Sequence, residues 1–412
     1  MSPLVALLSL CAGAPAAAAP QVELLAGQME LIVLPVAGAT SASLRYVVRS
    51  GAAHDPPAKG GLAHLVEHML IRDAKGAVGL IEVARAAGAR VDAYTSRDAT
   101  VFELDAPAKE FEALARALIR AVNDPAFRSR DIDRELGVIQ NEAELPARGG
   151  QALRYIDKAL FRGQGGGTVI GSSAARATIE RSDLVAFYQR HYVTSNTTAV
   201  LTGAVTPASA RALLDESLLL PPALPGERPE PILAIPELPF TESVRAPFLG
   251  AVMGYRVETA DHEACLALAA LVELRLYVAL QLREPLVSSV SVECADIRGS
   301  RFVLAVAYSP GVDASDLSET MTQAFRDAGR MAPTSQERKV LEQRLRRIAE
   351  RVQSDPAALA DDVAWNASQP REGTRTVLPR ARVGPFPAVQ ELARRAFTPE
   401  RRVLLQLSPF SG

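Results

Sequence analysis

Cysteine, histidine and tryptophan are scarce in this 412-residue chain: three, five and one. Three cysteines do not make a disulfide framework. Cys265 falls in an apolar helical stretch and Cys294 in a strand-like one, so both read as small buried hydrophobes. Charge of one sign is also missing. The net charge is −2 and the sequence pI about 6.3, which excludes the basic footprint of a nucleic-acid binder. Beyond the N-terminus no run reaches 18 uninterrupted apolar residues, so no internal membrane span is expected. Met1 to Pro20 carries no charge at all. Its apolar Leu4–Cys11 and small-residue Ala14–Ala19 have the pattern of a secretory signal over 1–19, without the usual basic start. The expectation is an exported protein, periplasmic or secreted. Leu10 is too large for the small residue that precedes a lipidated cysteine.

What is present is globular: 48% hydrophobic and 22% charged residues, enough chain for two domains. Eight of the 28 prolines lie between Pro221 and Pro247, a density that excludes helix and resists central strands. Residues 220–242 therefore read as a linker between an N-terminal domain, 20–219, and a C-terminal domain, 243–412. The halves repeat one pattern. Val91–Tyr94 and Thr100–Leu104 read as strands, followed by an amphipathic helix Ala108–Val122, a break at Asp124–Pro125 and a charged helix Asp131–Glu144. Val290–Glu293 and Arg301–Ala307, helix Ala314–Ala328, a break at Ala332–Pro333 and helix Gln336–Val352 repeat it, with Phe102 and Phe302 in matching places. This is a single duplication, and strands followed by runs of helices predict an α+β fold. Each domain should have a mostly antiparallel sheet with helices on one side.

The chemistry concentrates in His64-Leu65-Val66-Glu67-His68. On a helix over Gly61–Ile71 the two histidines lie four apart on one face, within reach of a single ion. Glu67 reaches the same neighbourhood, as ligand or as base. Composition alone gives a chance count of roughly 0.004 for this H-x-x-E-H order, the inverzincin signature. His54, His191 and His262 read as structural. A catalytic zinc needs a third protein ligand. Glu135 and Glu142, seven apart on the charged helix, are placed to offer one, although such a run also suits a solvated helix face.

Gly61 to Ile71 resembles the G-x-A-H-x-x-E-H-M-L-F motif of the pitrilysin/insulinase family, in its two-domain branch that includes mitochondrial processing peptidase; Ile71 stands where Phe is usual. Arg134 to Glu142 resembles the family's R-E-x-x-V-I-x-x-E. Gly88 to Thr100 resembles its G-G-x-x-N-A-x-T segment, with Asp92 for Asn, and Gly166–Gly171 and Leu184–Gly203 resemble later patches. The resemblance implies Zn2+ on His64, His68 and Glu142, Glu67 as catalytic base, Glu135 supporting a histidine, and Ala89–Ala93 as a sheet edge that holds a peptide. Active relatives carry an Arg and a Tyr seven residues apart in the second half; aligned from Arg275 without gaps these fall on Gln281 and Ser288, and a gapped alignment recovers Arg283 but no nearby tyrosine downstream. That departure implies a homologous partner chain supplying Arg and Tyr. The reading is a zinc metalloendopeptidase for short or unfolded peptides, the catalytic subunit of a heterodimer. The alternatives are a non-catalytic structural subunit and a peptide- or metal-binding subunit of the same family.

Overall fold

The computed structural model describes residues 20–72, 79–144, 169–217, 220–222, 237–246, 248–258, 262–283, 285–297, 300–309, 311–368 and 386–409. The expected signal and most of the expected linker lie outside them. In the first half β1 (Gln21–Leu24), β2 (Glu30–Pro35) and β3 (Ser41–Val48) lead to α1 (Leu62–Arg72) and α2 (Leu80–Ala86). Then come β4 (Arg90–Thr95), β5 (Thr100–Pro107), α3 (Ala108–Asn123), α4 (Ser129–Glu144), α5 (Arg181–His191), β6 (Thr197–Gly203) and α6 (Pro207–Ser217). The second half runs β7 (Phe240–Arg245), β8 (Leu249–Val257), α7 (His262–Tyr277), β9 (Ser289–Ile297) and β10 (Ser300–Ser309). It continues with α8 (Ala314–Arg330), α9 (Ser335–Ser354), α10 (Pro356–Ser368), α11 (Phe386–Ala396) and β11 (Arg402–Ser408).

The duplication is visible in the sheets. The first has the order β1-β2-β6-β3-β5-β4 and the second β7-β11-β8-β10-β9. With β1 set aside the two orders correspond strand for strand. In each, one pair is parallel (β2 with β6, β7 with β11) and the other pairings are antiparallel. The four helices expected in the repeated pattern form within a few residues of the expected ends. The linker ends earlier than expected, because Phe240–Glu242 already pair with β11 at the sheet edge, where nearby prolines are tolerated. Phe102 and Phe302 are not equivalent. Phe102 packs among the helices of its half, whereas Phe302 lies on the opposite face of its sheet, with Val252 and Leu405. A shift of one residue along a strand is enough to reverse the face.

Alternating residues of the first sheet feed two cores. Leu31, Val33, Leu44 and Leu104 pack under α1, α3 and α5. Ile32, Leu34, Val47 and Val200 face the other way and meet Leu359, Val363 and Ala367 of α10. Helices on one side thus describes each half's own helices; the opposite face of the first sheet is covered by a helix from the second half. Arg45 of β3 fastens this crossing. Its fully buried guanidinium lies 2.6 Å from Asp361 of α10 and 2.8 Å from Asp105. Burial works against its charge, but these carboxylates and Glu103 keep it protonated.

Cys265 and Cys294, whose pairing the sequence left open, form a disulfide that ties α7 to the edge strand β9. Their separation of 29 residues gives about 3–4 kcal/mol of stabilisation from restricting the unfolded chain. Among the described residues, 264–283 are long and apolar enough to cross a membrane. Cys265, Leu268, Val272 and Leu276 are nevertheless buried in the second core, which is the packing of a core helix.

Two predictions follow from this packing. Arg45→Ala removes a fully buried guanidinium from its hydrogen bonds to Asp105 and Asp361 and lowers the unfolding free energy by about 1.5–3 kcal/mol. Arg90→Ala, which removes an exposed partner of Asp105, costs less than about 1 kcal/mol; urea titrations of both variants compare the two. His191 is buried against His54 and Phe187, with ring centroids 5.1 and 4.6 Å away. Burial, helped by His54 and Arg190, lowers its pKa to about 3. The unfolded chain therefore takes up a proton near pH 6.5 that the folded chain refuses, so stability falls as pH drops from about 6.5 towards 3. His191→Gln should flatten that slope in unfolding curves at pH 7 and pH 5.

Candidate metal centre

The centre is assembled on α1, α4 and β4. Helix α1 forms because Leu62, Leu65, Val66, Met69 and Leu70 give an apolar stripe at helical spacing, buried in the first core. Its start is fixed from outside. Asp55 Oδ2 accepts from the backbone N–H of Gly61 at 2.7 Å, and Oδ1 from that of Ala63 at 2.8 Å. Two of the N–H groups that a helix leaves without partners are thereby satisfied. Burial lifts the Asp55 carboxyl to about 7 against the pull of these N–H groups. Gly61 has φ +97°, and a Cβ there would lie 2.6 Å from the Ile170 carbonyl oxygen; at Gly171 it would lie 1.9 Å from that of Gly60. Glycine at both positions is what lets the 170–171 turn lie beneath the helix start. Buried Arg176 donates to Ile170 O, Gly171 O and the Gln140 side chain, which links that turn to α4.

The structure brings all five expected site residues together. Glu142 Oε2 is 3.7 Å from His64 Nε2 and 3.6 Å from His68 Nε2. Glu67 Oε2 lies 4.0 Å from His64 Nε2 and accepts a 2.7 Å hydrogen bond from Thr95 Oγ1. Glu135 Oε2 is 3.1 Å from His68 Nδ1, and its other oxygen accepts from Arg134 Nε at 3.0 Å. A proton on Nδ1, donated to Glu135, leaves Nε2 of His68 turned towards Glu142. Such a carboxylate–imidazole contact orients a metal-binding histidine.

Burial sets the electrostatics. It raises Glu67 to about 7, opposed by His68 and the Thr95 hydroxyl and assisted by Glu142. Burial works against a charged His68, yet its hydrogen bonds to Glu135 and Glu142 carry it up to about 9.

A zinc ion fits this donor set: two imidazoles and a carboxylate are the three-ligand pattern of a catalytic site. Tetrahedral geometry at about 2.0–2.1 Å places neighbouring donors about 3.3–3.4 Å apart. The Glu142 oxygen, nearly equidistant from both Nε2 atoms, is within a few tenths of an ångström of that. Grouping by distance alone gathers His64, Glu67 and His68, so Glu67 competes with Glu142 for the third place. Glu142 is nearer to His64 Nε2 than Glu67 is, 3.7 against 4.0 Å, and Glu67 is engaged by Thr95. At the same centre, β4 is the last strand of its sheet among the described residues.

Three supporting residues were not read from the sequence. Asp55 carried a signal, a side-chain acceptor a few residues ahead of a helix. Thr95 fell on the threonine of the G-G-x-x-N-A-x-T segment with no role assigned to it, and nothing in the sequence marked Arg176.

The fold and this centre together define a two-domain metallopeptidase-type protein with an inverted H-x-x-E-H helix. The chain belongs to peptidase family M16, the insulinase family: residues 32–164 match the family model described as insulinase (peptidase family M16), and 178–343 the one described as peptidase M16 inactive domain. It is 31% identical over 239 residues to the probable zinc protease PqqL of Escherichia coli, spanning 53% of this chain and 26% of that protein. It is 26% identical over 161 residues to the human mitochondrial-processing peptidase subunit beta, spanning 38% and 33%. The matched region is thus about a quarter to a third of these relatives' length. The fold is shared with a protease from Helicobacter pylori, at TM-score 0.79 and 16% identity over 95% of this chain and all of the other. It is also shared with the periplasmic protease PqqL of Escherichia coli, at TM-score 0.70 and 20% identity over 95% and 48%.

Asp55→Ala should lower the unfolding free energy by about 1–2 kcal/mol and weaken zinc binding, read by denaturant titration and by competition with a chromogenic chelator. Zinc at 100 times its dissociation constant should stabilise the wild-type chain by about 2.7 kcal/mol, a shift that a calorimetric scan resolves.

Proposed function

We propose that the chain is a zinc-dependent endopeptidase acting on short or unfolded peptides. The observation that carries this reading is the approach of one Glu142 oxygen to both histidines, while the Glu67 carboxylate stays beside them on a separate hydrogen bond. His64, His68 and Glu142 would hold the metal. When bound, zinc supplies Lewis acidity that polarises a peptide carbonyl and brings the pKa of water from 15.7 towards about 7. Glu67 acts as general base: its carboxylate takes the proton of the attacking water and delivers it to the leaving amine. Glu135 fixes the His68 ring. The β4 edge holds the substrate backbone in extended form through main-chain hydrogen bonds, which favours loose sequence selectivity.

Two further parts belong to this reading. Export is supported by the Cys265–Cys294 disulfide, since such bonds persist in oxidising compartments. A homologous partner supplying an Arg and a Tyr is supported by Gln281 and Ser288, which stand at those places and bond to each other, Gln281 Nε2 donating to Ser288 O. Arg275 is committed elsewhere, to Glu337 and to the Asp327 carbonyl.

Hydrolysis of a quenched casein peptide should be abolished by chelator and restored by zinc; activity that survives chelation would falsify the assignment. Glu67→Gln should retain zinc and lose about 10²–10⁴-fold in kcat. Without the carbonyl donors, the isolated chain should run about 10²–10³-fold below its mixture with a homologous chain. Full activity alone, unchanged on mixing, rejects the division of labour.

A further inference from the structure

We infer that Thr95 is the positioning residue of the Glu67 carboxylate, acting through a chain of hydroxyls anchored on the loop that also seats α1. The inference rests on the proposed role of Glu67. Thr95 is the last residue of β4 and Thr100 the first of β5, so the hairpin turn between them sets the two side chains opposite each other across the ladder. Thr95 Oγ1 is 2.7 Å from Glu67 Oε2 and 3.3 Å from Thr100 Oγ1. Thr100, fully buried, donates to the Ser50 carbonyl at 2.9 Å.

The hairpin itself cannot drift. Ala52 N donates to Ser96 O at 3.1 Å and Ala53 N to Arg97 O at 2.8 Å. A Cβ on Gly51 would lie 2.3 Å from Ser96 O, so the loop and the turn are in backbone contact. Two residues beyond Ala53, Asp55 seats α1. Loop 50–55 therefore fixes both the helix that carries Glu67 and the hydroxyl that orients it.

A hydroxyl suits this place because one group both donates and accepts. With Glu67 as a carboxylate, the Thr95 proton points to it and the Thr100 proton to Ser50 O. When Glu67 has taken the water's proton, Thr95 can accept from it and donate to Thr100 instead. Glu67 Oε2 is hydrogen-bonded in both forms. Valine keeps the shape and strand preference of threonine without the hydroxyl, so Thr95→Val isolates the hydrogen bond, and Thr95→Ser returns it.

Two measurements on the purified full-length chain test this. The first is kinetic. Thr95→Val should lower kcat tenfold or more, with KM within twofold and zinc stoichiometry unchanged, and Thr95→Ser should recover kcat to within threefold. Wild-type kcat in Thr95→Val, or zinc loss in proportion to activity loss, overturns the inference. The second needs no turnover. In the metal-free chain, Thr95→Val should shift the urea midpoint when Glu67 is present and leave it unmoved in a Glu67→Ala background; equal shifts in both backgrounds overturn the inference. Chelator-insensitive wild-type activity would defeat the peptidase reading alone, and the unfolding cycle would still decide whether Thr95 holds Glu67.

Discussion

The carboxylate of Asp55 on the first backbone N–H groups of α1 is the contact on which the rest of the centre depends. A helix start buried without partners carries a desolvation cost for each N–H, so this one interaction sets where α1 begins. The height and rotation of His64, Glu67 and His68 then follow from helical geometry. The same loop carries the β4–β5 hairpin through its backbone, so the edge strand and the helix are held to one reference. The third wall, α4, is tied in by Arg176, which bridges the Gln140 side chain and the 170–171 turn beneath the helix start.

The centre gathers Glu67, Glu135 and Glu142 in a largely buried space, an arrangement that costs desolvation and mutual repulsion. The structure relieves this locally, residue by residue. Glu135 has His68 and Arg134, Glu67 has Thr95, and Glu142, partly exposed, faces both histidines. What remains is an acid shifted up to about 7 beside a histidine shifted up to about 9, and a divalent cation binding there would have to displace the histidine's proton. The scaffold beyond the centre is organised by the duplication, and the two halves are fastened by the Arg45 cluster and by α10 lying across the first sheet.

The H-x-x-E-H order, the seven-residue spacing of Glu135 and Glu142, and the repeated strand–helix pattern were legible because each is local. Helical periodicity places residues three, four and seven apart on one face whatever surrounds them. The disulfide was not legible, since two cysteines 29 residues apart acquire meaning only when a helix and an edge strand pack together. The Phe102–Phe302 match failed for a related reason: period-2 alternation fixes a residue's face only once the strand register is known.

By itself, then, the sequence determined the repeated strands and helices, the duplication and the H-x-x-E-H group, all properties of short segments, while Glu135 and Glu142 were singled out by the family resemblance. The tertiary structure alone decided which carboxylate approaches both histidines, that a hydroxyl from the edge hairpin occupies Glu67, and that a helix of the second half covers the first sheet. Those depend on distances between segments remote in sequence, such as Thr95 to Glu67 and Arg45 to Asp361. Only packing of the assembled cores, where interiors reach crystal-like density, fixes distances of that kind.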